Sequence, residues 1–389
     1  MSLLNVVPVT VEDYRRRARL RLPGFLFDYA DGGANREETL AANSNDFLKI
    51  KLRQQVMRDV SGASAATTLL GQNANMPLAL APVGLAGMYA RRGEVQAARA
   101  AQAHGVPFSV STNSICSMSE VNEAVATPAW FQLYMLRDRG YVQEILQNAW
   151  DAGTRTLIFT IDLPIPGLRL RDYQNGMLGT GLQSKVSKLL QLASSPVWAY
   201  DVGIKGKPHL LGNLAGRVPD AKDLNSYKSF VESQFDPAAT WEDIRWLRDQ
   251  WRSQLLIKGV LEVDDALAAV DCGAEGVVVS NHGGRQLDGV ASTISKLPGI
   301  AQAVDDRAEV FLDGGVRNGI DVVRAVALGA RGVLIGRPWL FALAAQGEQG
   351  VSALLQVFAN EIAVALTLAG VKSVHELTPE MVENTLSIA

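Results

Sequence analysis

Cysteine is almost absent from this chain: two residues in 389, Cys116 and Cys272, with no CxxC spacing. That excludes a disulfide framework and leaves both as packing residues of a reduced interior. Histidine is nearly as scarce, with His104, His209, His282 and His375 the complete set. No second histidine or cysteine stands near His282, so a zinc site lacks its ligands and no metal is expected. An excess of basic charge is missing too. Lys plus Arg total 37 against 40 Asp plus Glu, a net charge of -3, which offers no field for holding nucleic acid. The weakly polar stretch Met76–Ala90 is broken by Pro77, Pro82, Gly84 and Gly87 and falls short of the roughly 18 apolar residues that suggest a spanning helix. Met1–Thr10 lacks the basic region, apolar core and cleavage site of a secretory leader, so export is not expected. A GxSxG elbow and a Walker loop are absent, which removes the usual devices for acyl transfer and nucleotide hydrolysis.

What is present is a composition that folds, 48% hydrophobic and 20% charged, in a chain long enough for a large core. Short apolar runs alternate with segments of helical spacing, the pattern of parallel strands joined by crossover helices. The runs are Leu78–Val83, Val106–Ser111, Trp130–Tyr134, Thr156–Ile161, Leu255–Lys258, Gly276–Ser280, Glu309–Leu312 and Gly332–Ile335. Their near-continuous hydrophobicity fits strands buried on both faces. Between them, Val142, Ile145, Leu146 and Ala149 share a helical face; so do Val263, Leu267 and Val270, with Gly273 as the stop. Thr240 with Asp243 forms a capping box ahead of Ile244, Leu247 and Trp251. Eight strand–helix units favour an α/β fold of the (β/α)8 TIM barrel type over an open sheet.

The chain is therefore expected to be a single domain, 1–389, with an N-terminal helical segment over 1–60 and a long insertion over 163–239 after the fourth strand. Within that insertion Leu182, Val186, Leu189, Leu190 and Ala193 line one helical face, with Lys185 and Lys188 off it. The spacing predicts an amphipathic helix packed on its own barrel or on a neighbouring subunit; an interfacial membrane helix is the alternative.

Polar residues gather where strands end, which in such barrels is where chemistry is carried. Ser111, Gln132, Tyr134, Thr160, Asp162 and Lys258 close strands two to five; strand six runs into Ser280–Arg285, strand seven into Asp313-Gly314-Gly315-Val316-Arg317, strand eight into Gly336-Arg337. A buried strand end does not carry lysine or aspartate unless it is paired or faces a ligand. The two glycine–arginine loops offer backbone amides and guanidinium groups for a phosphate, the usual place for one in a barrel. His282, between a buried strand and two glycines, is the candidate base. A base, cations for an anionic substrate, tyrosine hydroxyls and a phosphate cradle suit proton or hydride removal from a small acid beside a phosphorylated cofactor.

Taken together, Ser280–Asp288, Phe131-Gln132-Leu133-Tyr134, Leu255–Gly259 and Asp313–Arg317 resemble the FMN-dependent L-2-hydroxy acid dehydrogenase and oxidase family, from about Leu22-Pro23 and Phe27-Asp28-Tyr29 to Leu377. The stretch Ala81–Gln96 is similar to the bacterial respiratory L-lactate dehydrogenase branch. The resemblance implies FMN as cofactor and oxidation of an L-2-hydroxy acid, with L-lactate to pyruvate first. It implies His282 as base with Asp162 stabilising its charge, Arg285 and Arg169 clamping the carboxylate, and Tyr29 and Tyr134 on the substrate. Lys258 would lie by the flavin N1–O2 edge. Ser111, Gln132 and Thr160 would bond the ring, and Pro82, Val83 and Gly84 would pack along it. Gly315, Arg317, Gly336 and Arg337 would hold the cofactor's phosphate, and Asp313 and Gly314 would also belong to the cofactor site. Asn113 departs from the glycolate oxidases, which carry tryptophan there.

The resemblance further implies a cytoplasmic homotetramer that passes electrons to a quinone or other carrier, with peripheral contact on the cytoplasmic face of the inner membrane held open. Two enzymatic alternatives share the motif residues: an oxidase that reduces oxygen to hydrogen peroxide, and an (S)-mandelate-type dehydrogenase. A non-catalytic flavin-binding scaffold would require a lost catalytic position, and every one is present.

Overall fold

The computed structural model describes residues 7–177, 181–207, 209–214 and 233–384. Each of the eight expected runs forms a strand: β1 Leu78–Leu80, β2 Ser109–Ser111, β3 Trp130–Tyr134, β4 Thr156–Thr160, β5 Gln254–Val260, β6 Gly276–Val279, β7 Glu309–Asp313 and β8 Gly332–Ile335. All are parallel, in the order β1-β8-β7-β6-β5-β4-β3-β2, and a bridge between Leu80 and Phe108 brings the two ends together, so the sheet curls into a barrel. Proline sets two boundaries differently from the sequence reading. β1 stops before Pro82 and β2 begins after Pro107, because proline has no N–H for the ladder. β5 runs on to Val260 through an irregularity between Lys258 and Val260.

Ala79, Trp130, Ile158, Leu256, Val278, Phe311 and Leu334 fill the barrel's interior; Leu69, Leu70 and Ala74 join them from the hairpin Thr67–Leu69/Gln72–Ala74. That hairpin plugs the amino end and was not anticipated. Glu309 holds its turn by accepting the Leu70 N–H at 2.9 Å, and Gln72 accepts from the Trp130 indole at 2.9 Å. Arg139–Asp151 buries Val142, Ile145, Leu146 and Ala149 as its spacing predicts, and the Thr240–Asp243 box caps Trp241–Gln250; in Val263–Asp271 the buried positions are Ala266 and Ala269, with Val263, Leu267 and Val270 half-buried beside them.

The N-terminal segment is helical over Val11–Arg21, Gly24–Asp31 and Glu38–Asn45, and its last turn ends at Lys49 rather than near 60. Beyond it Ile50–Leu52 pairs antiparallel with Val382–Asn384, which takes the chain out of helix. The apolar helix Arg337–Ala369 is long enough to cross a membrane by length and composition alone. It is broken at Gln346 and Gly347 by non-helical angles, and it buries Trp339, Leu340, Phe341 and Leu343 before the break and Leu354, Leu355 and Phe358 after it.

In the connection after β4, Leu182–Ala193 is a helix as expected, but none of its residues is buried. Leu182 is 78% exposed, Leu189 68% and Leu190 65%. The expectation that this face packs on the chain's own barrel is therefore corrected: the helix is tethered through Gln191, which accepts the Phe25 N–H at 2.6 Å, and its apolar stripe is left uncovered. Residues 178–180, 208 and 215–232 of the expected insertion lie outside the described residues.

Candidate active site

Strand periodicity builds the site. Two residues beyond each inward core side chain, the next inward position falls at the barrel's carboxyl rim. Trp130 is followed by Gln132 and Tyr134, Ile158 by Thr160 and Asp162, Leu256 by Lys258, Val278 by Ser280 and His282, and Phe311 by Asp313 and Gly315. The apolar layer thus ends in a polar one at the same height on neighbouring strands; Thr160 and Lys258 are register partners. A cavity of about 320 Å³ opens there.

His282 Nδ1 lies 2.9 Å from Asp162 Oδ1. A carboxylate only accepts, so the proton sits on Nδ1 and the Nε2 lone pair is free to act as base. Burial alone would raise the Asp162 carboxyl, but His282 in its protonated form, the His282 hydrogen bond and the Lys258 charge bring it below its ordinary value. Space for Asp162 comes from Gly259, where a Cβ would sit 2.7 Å from the Asp162 side chain. His282 itself has φ of 55°, a left-handed conformation that costs energy for a residue with a side chain. It is held there in part by its N–H, which donates to Ser280 Oγ at 3.1 Å. The same hydroxyl oxygen accepts from Lys258 Nζ at 2.9 Å, and Lys258 pairs with Asp313 at 2.9 Å. Burial would lower the Lys258 ammonium, yet Asp313 and Asp162 raise it, so it stays charged.

Across the cavity two guanidinium groups flank Tyr29. Arg169 Cζ lies 5.2 Å and Arg285 Cζ 4.9 Å from the ring centroid, a cation–π arrangement. Arg285 also donates to the carbonyls of Tyr29 and Gly32, and Arg169 Nε donates to Asp172 at 3.1 Å. Burial and the repulsion of Arg169 lower Arg285 from its usual range. Asp172 balances part of this charge, and two half-buried guanidinium groups on one ring favour an anion between them. Tyr134, stacked edge-on against Phe235 at 5.4 Å, has its hydroxyl raised by burial and by the Asp162 charge, and remains a neutral donor.

At the other end Arg317 is lowered by burial, and Arg337 by burial and the charges of Arg285 and Arg317. Arg337 opens the long helix Arg337–Ala369, whose N-terminus favours an anion, and Arg317 lines the same cavity from the loop after β7. Gly315 packs so tightly that a Cβ would lie 1.9 Å from the Asn43 carbonyl, which fixes the loop as bare backbone. A half-buried cation cluster, a helix N-terminus and a glycine loop are the donor set a phosphate requires, and flavin mononucleotide fits this chemistry. Arg337 differs from the sequence reading in one respect. Its guanidinium donates to the carbonyls of Ala30 and Gly283 at 2.9 Å and of Gly32 at 2.8 Å, clamping the N-terminal segment to the catalytic loop. That leaves Arg317 as the freer fork.

Of the residues singled out in the sequence, Tyr29, Pro82, Val83, Gly84, Gln132, Tyr134, Thr160, Arg169, Lys258, His282, Arg285, Asp313, Gly314, Gly315, Arg317, Gly336 and Arg337 all line this one cavity. Asp162 stands behind His282. Ser111 is buried behind Gln132, donating to its Oε1 at 3.1 Å, while Gln132 Nε2 donates to Thr160 at 3.1 Å. Sequence reasoning gave no role to Ser280, which the period of two marks, nor to Asp172, which stands one helical turn beyond Arg169. Both cysteines are buried and free.

A family model described as FMN-dependent dehydrogenase matches residues 18–384. The chain is 56% identical over 365 residues to an L-lactate dehydrogenase of Caulobacter vibrioides (strain NA1000 / CB15N), covering 94% of this chain and 95% of that one. It is 53% identical over 373 residues to an L-lactate dehydrogenase of Caulobacter sp. (strain K31), covering 96% and 98%. Among solved structures, (S)-mandelate dehydrogenase, described as a monotopic membrane protein, superposes with a TM-score of 0.90 at 35% identity over 97% of this chain and 99% of that one. Mandelate oxidase with (S)-2-phenylpropionate gives a TM-score of 0.82 at 36% identity over 98% and 100%.

Proposed function

Because the chain belongs to the FMN-dependent dehydrogenase family, we propose that it oxidises L-lactate to pyruvate on flavin mononucleotide. The observation that carries this reading is the meeting, in one cavity, of the His282–Asp162 couple with the Arg169–Arg285 pair. The flavin, when bound, accepts the two electrons that leave the α-carbon. The protein's own part is orientation and preorganised charge. Arg169 and Arg285 bind the carboxylate. His282 Nε2 takes a proton from the substrate, and Asp162 stabilises the imidazolium. Tyr134 and Tyr29 hydrogen-bond the bound acid, and Lys258 supplies positive charge at the flavin. Gln132 and Thr160 meet the ring, with Ser111 orienting Gln132. Arg317, Gly315 and the helix N-terminus at Gly336–Arg337 hold the phosphate.

The experiment is anaerobic mixing of the flavin-loaded protein with L-lactate, D-lactate and (S)-mandelate, following loss of flavin absorbance. Bleaching by L-lactate alone is expected; bleaching by none of the three defeats the reading. A mandelate-type acid is the second reading, favoured by the likeness to (S)-mandelate dehydrogenase.

The electron acceptor we propose is a membrane quinone rather than oxygen. Leu182, Val186, Leu189 and Leu190, with Val197, Tyr200 and Ile204 just beyond, form an exposed apolar surface on the connection that carries Arg169. Such a face, with Lys185 and Lys188 beside it, suits shallow insertion into a bilayer. The free, buried cysteines accord with a cytoplasmic-face location. Rapid peroxide formation on admitting air would favour the oxidase alternative. For a homotetramer the available surface includes Val56 and Met57, near Val364 and Leu368 through the Gln55 N–H bond to the Leu368 carbonyl; light scattering tests it.

A further inference from the structure

The two working pairs of the site are split between the same two loops. Asp162 and Arg169 stand on the connection after β4, and His282 and Arg285 on the loop after β6. The His282–Asp162 couple and the Arg169–Arg285 pair therefore both depend on how one loop lies against the other. The barrel's ladder does not set this: its last bond on β4 runs from the Ile161 N–H to the Lys258 carbonyl, and from Asp162 onward the chain has left the sheet. Gln286 spans the gap. Its Nε2 donates to the carbonyls of Asp162 at 2.8 Å and Ile165 at 3.0 Å, and its Oε1 accepts the Gly167 N–H at 3.0 Å. Both amide hydrogens and the oxygen are thereby used, and turning the carboxamide over would set its oxygen against two carbonyls. The loops also touch, since a Cβ on Gly167 would lie 2.3 Å from the Arg285 carbonyl oxygen and 2.7 Å from Gln286 Cα. Two residues on, Asp288 accepts the N–H groups of Arg36 at 3.0 Å and Thr39 at 2.9 Å, which anchors the loop after β6 to the N-terminal segment.

Resting on the reading of this cavity as a 2-hydroxy acid site, we infer that Gln286 is a positioning residue: by fixing the backbone from Asp162 to Gly167 it aims Asp162 at His282 and Arg169 at the substrate carboxylate. Gln286 itself does not line the cavity. Asp162 is held twice by the one loop, at its carboxylate by His282 and at its carbonyl by Gln286. Held by its side chain alone, Asp162 would follow the imidazole; with its carbonyl fixed as well, it keeps the ring in place. At the other end Gly167 stands two residues before Arg169, and Pro164 and Pro166, each with a fixed φ, stiffen the stretch between the three bonded groups. Such a hold matters because a displacement of about 1 Å at the reacting groups costs about 10²-fold in rate.

The test is stopped-flow reduction of the flavin-loaded protein by L-lactate. Gln286→Met keeps the length of the side chain and removes all three bonds. Its limiting rate should fall about tenfold or more, and the half-saturating lactate concentration should rise about tenfold as Arg169 loses its aim. In an Asp162→Asn background Gln286→Met should change the limiting rate less than about threefold, because the couple it positions is already broken, while the rise in half-saturation persists. A residue serving the scaffold alone would not show this coupling. A larger loss in that background, or a Gln286→Met single variant within about threefold of wild type, overturns the inference. Should Gln286→Met not retain flavin, Gly167→Ala decides in the same cycle, since it wedges the contact from the opposite loop. Loss of flavin by both makes the contact part of the scaffold and overturns the inference too. Wild type that L-lactate does not reduce defeats the reading of the site and this role with it; a reduced wild type matched by its variants defeats this role alone.

Discussion

Asn43 and Asn281, 238 positions apart, exchange two amide hydrogen bonds of 2.8 Å each. Asn281 Oδ1 also accepts the Gly284 N–H at 3.1 Å, and Asn43 Oδ1 accepts the Thr293 N–H at 3.3 Å. One buried pair therefore ties the N-terminal helical segment to the loop that carries His282. Asn43→Ala removes both amide bonds, leaves Asn281 only its bonds to Gly284 and Ala291, and leaves the Thr293 N–H unmet, at about 1–3 kcal/mol. The urea midpoint should fall accordingly, together with kcat; an unchanged midpoint refutes this role.

Asp162→Asn keeps the shape of the couple but gives it a donor. The amide can then hold His282 with its proton on Nε2, the atom needed as base. Flavin absorbance should persist while the rate of flavin reduction by L-lactate falls roughly 10²–10⁴-fold in stopped flow. A loss below about tenfold would remove Asp162 from the mechanism.

Asp31 accepts from Arg15 and Arg171, joining the first helix to the segment after β4. Burial raises its carboxyl, but the two arginines outweigh burial and lower it below the ordinary 3.8. A depressed carboxylate adds stability that is complete above its unfolded value and lost as pH falls through the lower folded value. Asp31→Asn should thus be destabilised at neutral pH, and the gap from wild type should close below 3.8. Thermal melts at stepped pH read this directly, and a gap that stays constant into acid contradicts the assignment.

The half-buried cations Arg317 and Arg337 predict that the cofactor's phosphate contributes much of its binding. Flavin mononucleotide should raise the melting temperature of the flavin-free protein, and riboflavin, which lacks the phosphate, should bind about 100-fold more weakly or less. Equal shifts would place the phosphate elsewhere.

Leu189→Glu with Leu190→Glu puts charge on the exposed stripe of the helix Leu182–Ala193. Co-sedimentation with anionic vesicles should drop to background while circular dichroism is unchanged. Undiminished co-sedimentation would move the membrane face elsewhere.

Much of this architecture is written locally. Runs such as Gly276–Val279 and Gly332–Ile335 are apolar on both faces because the sheet is covered on both, which made the strands legible while concealing which side faces the barrel. The site residues could be read because each follows a strand by a step or two. The hairpin Thr67–Ala74 could not, since its turn Leu70-Gly71 lacks the usual paired turn residues and its strands are three residues long. The uncovered stripe at Leu189 and Leu190 has the same spacing as a buried one, so periodicity could not tell the two apart.

By itself the sequence determined eight buried strands, the helices between them and the polar residues at their ends, because each depends on neighbours within a few positions. Only the tertiary structure decided that Asp162 meets His282 across β4 and β6, that Ser280 serves both Lys258 and His282, and that Arg337 clamps Ala30 and Gly32. Those contacts join residues far apart in the chain, and their partners are chosen by how the barrel closes, which no local pattern of side chains encodes.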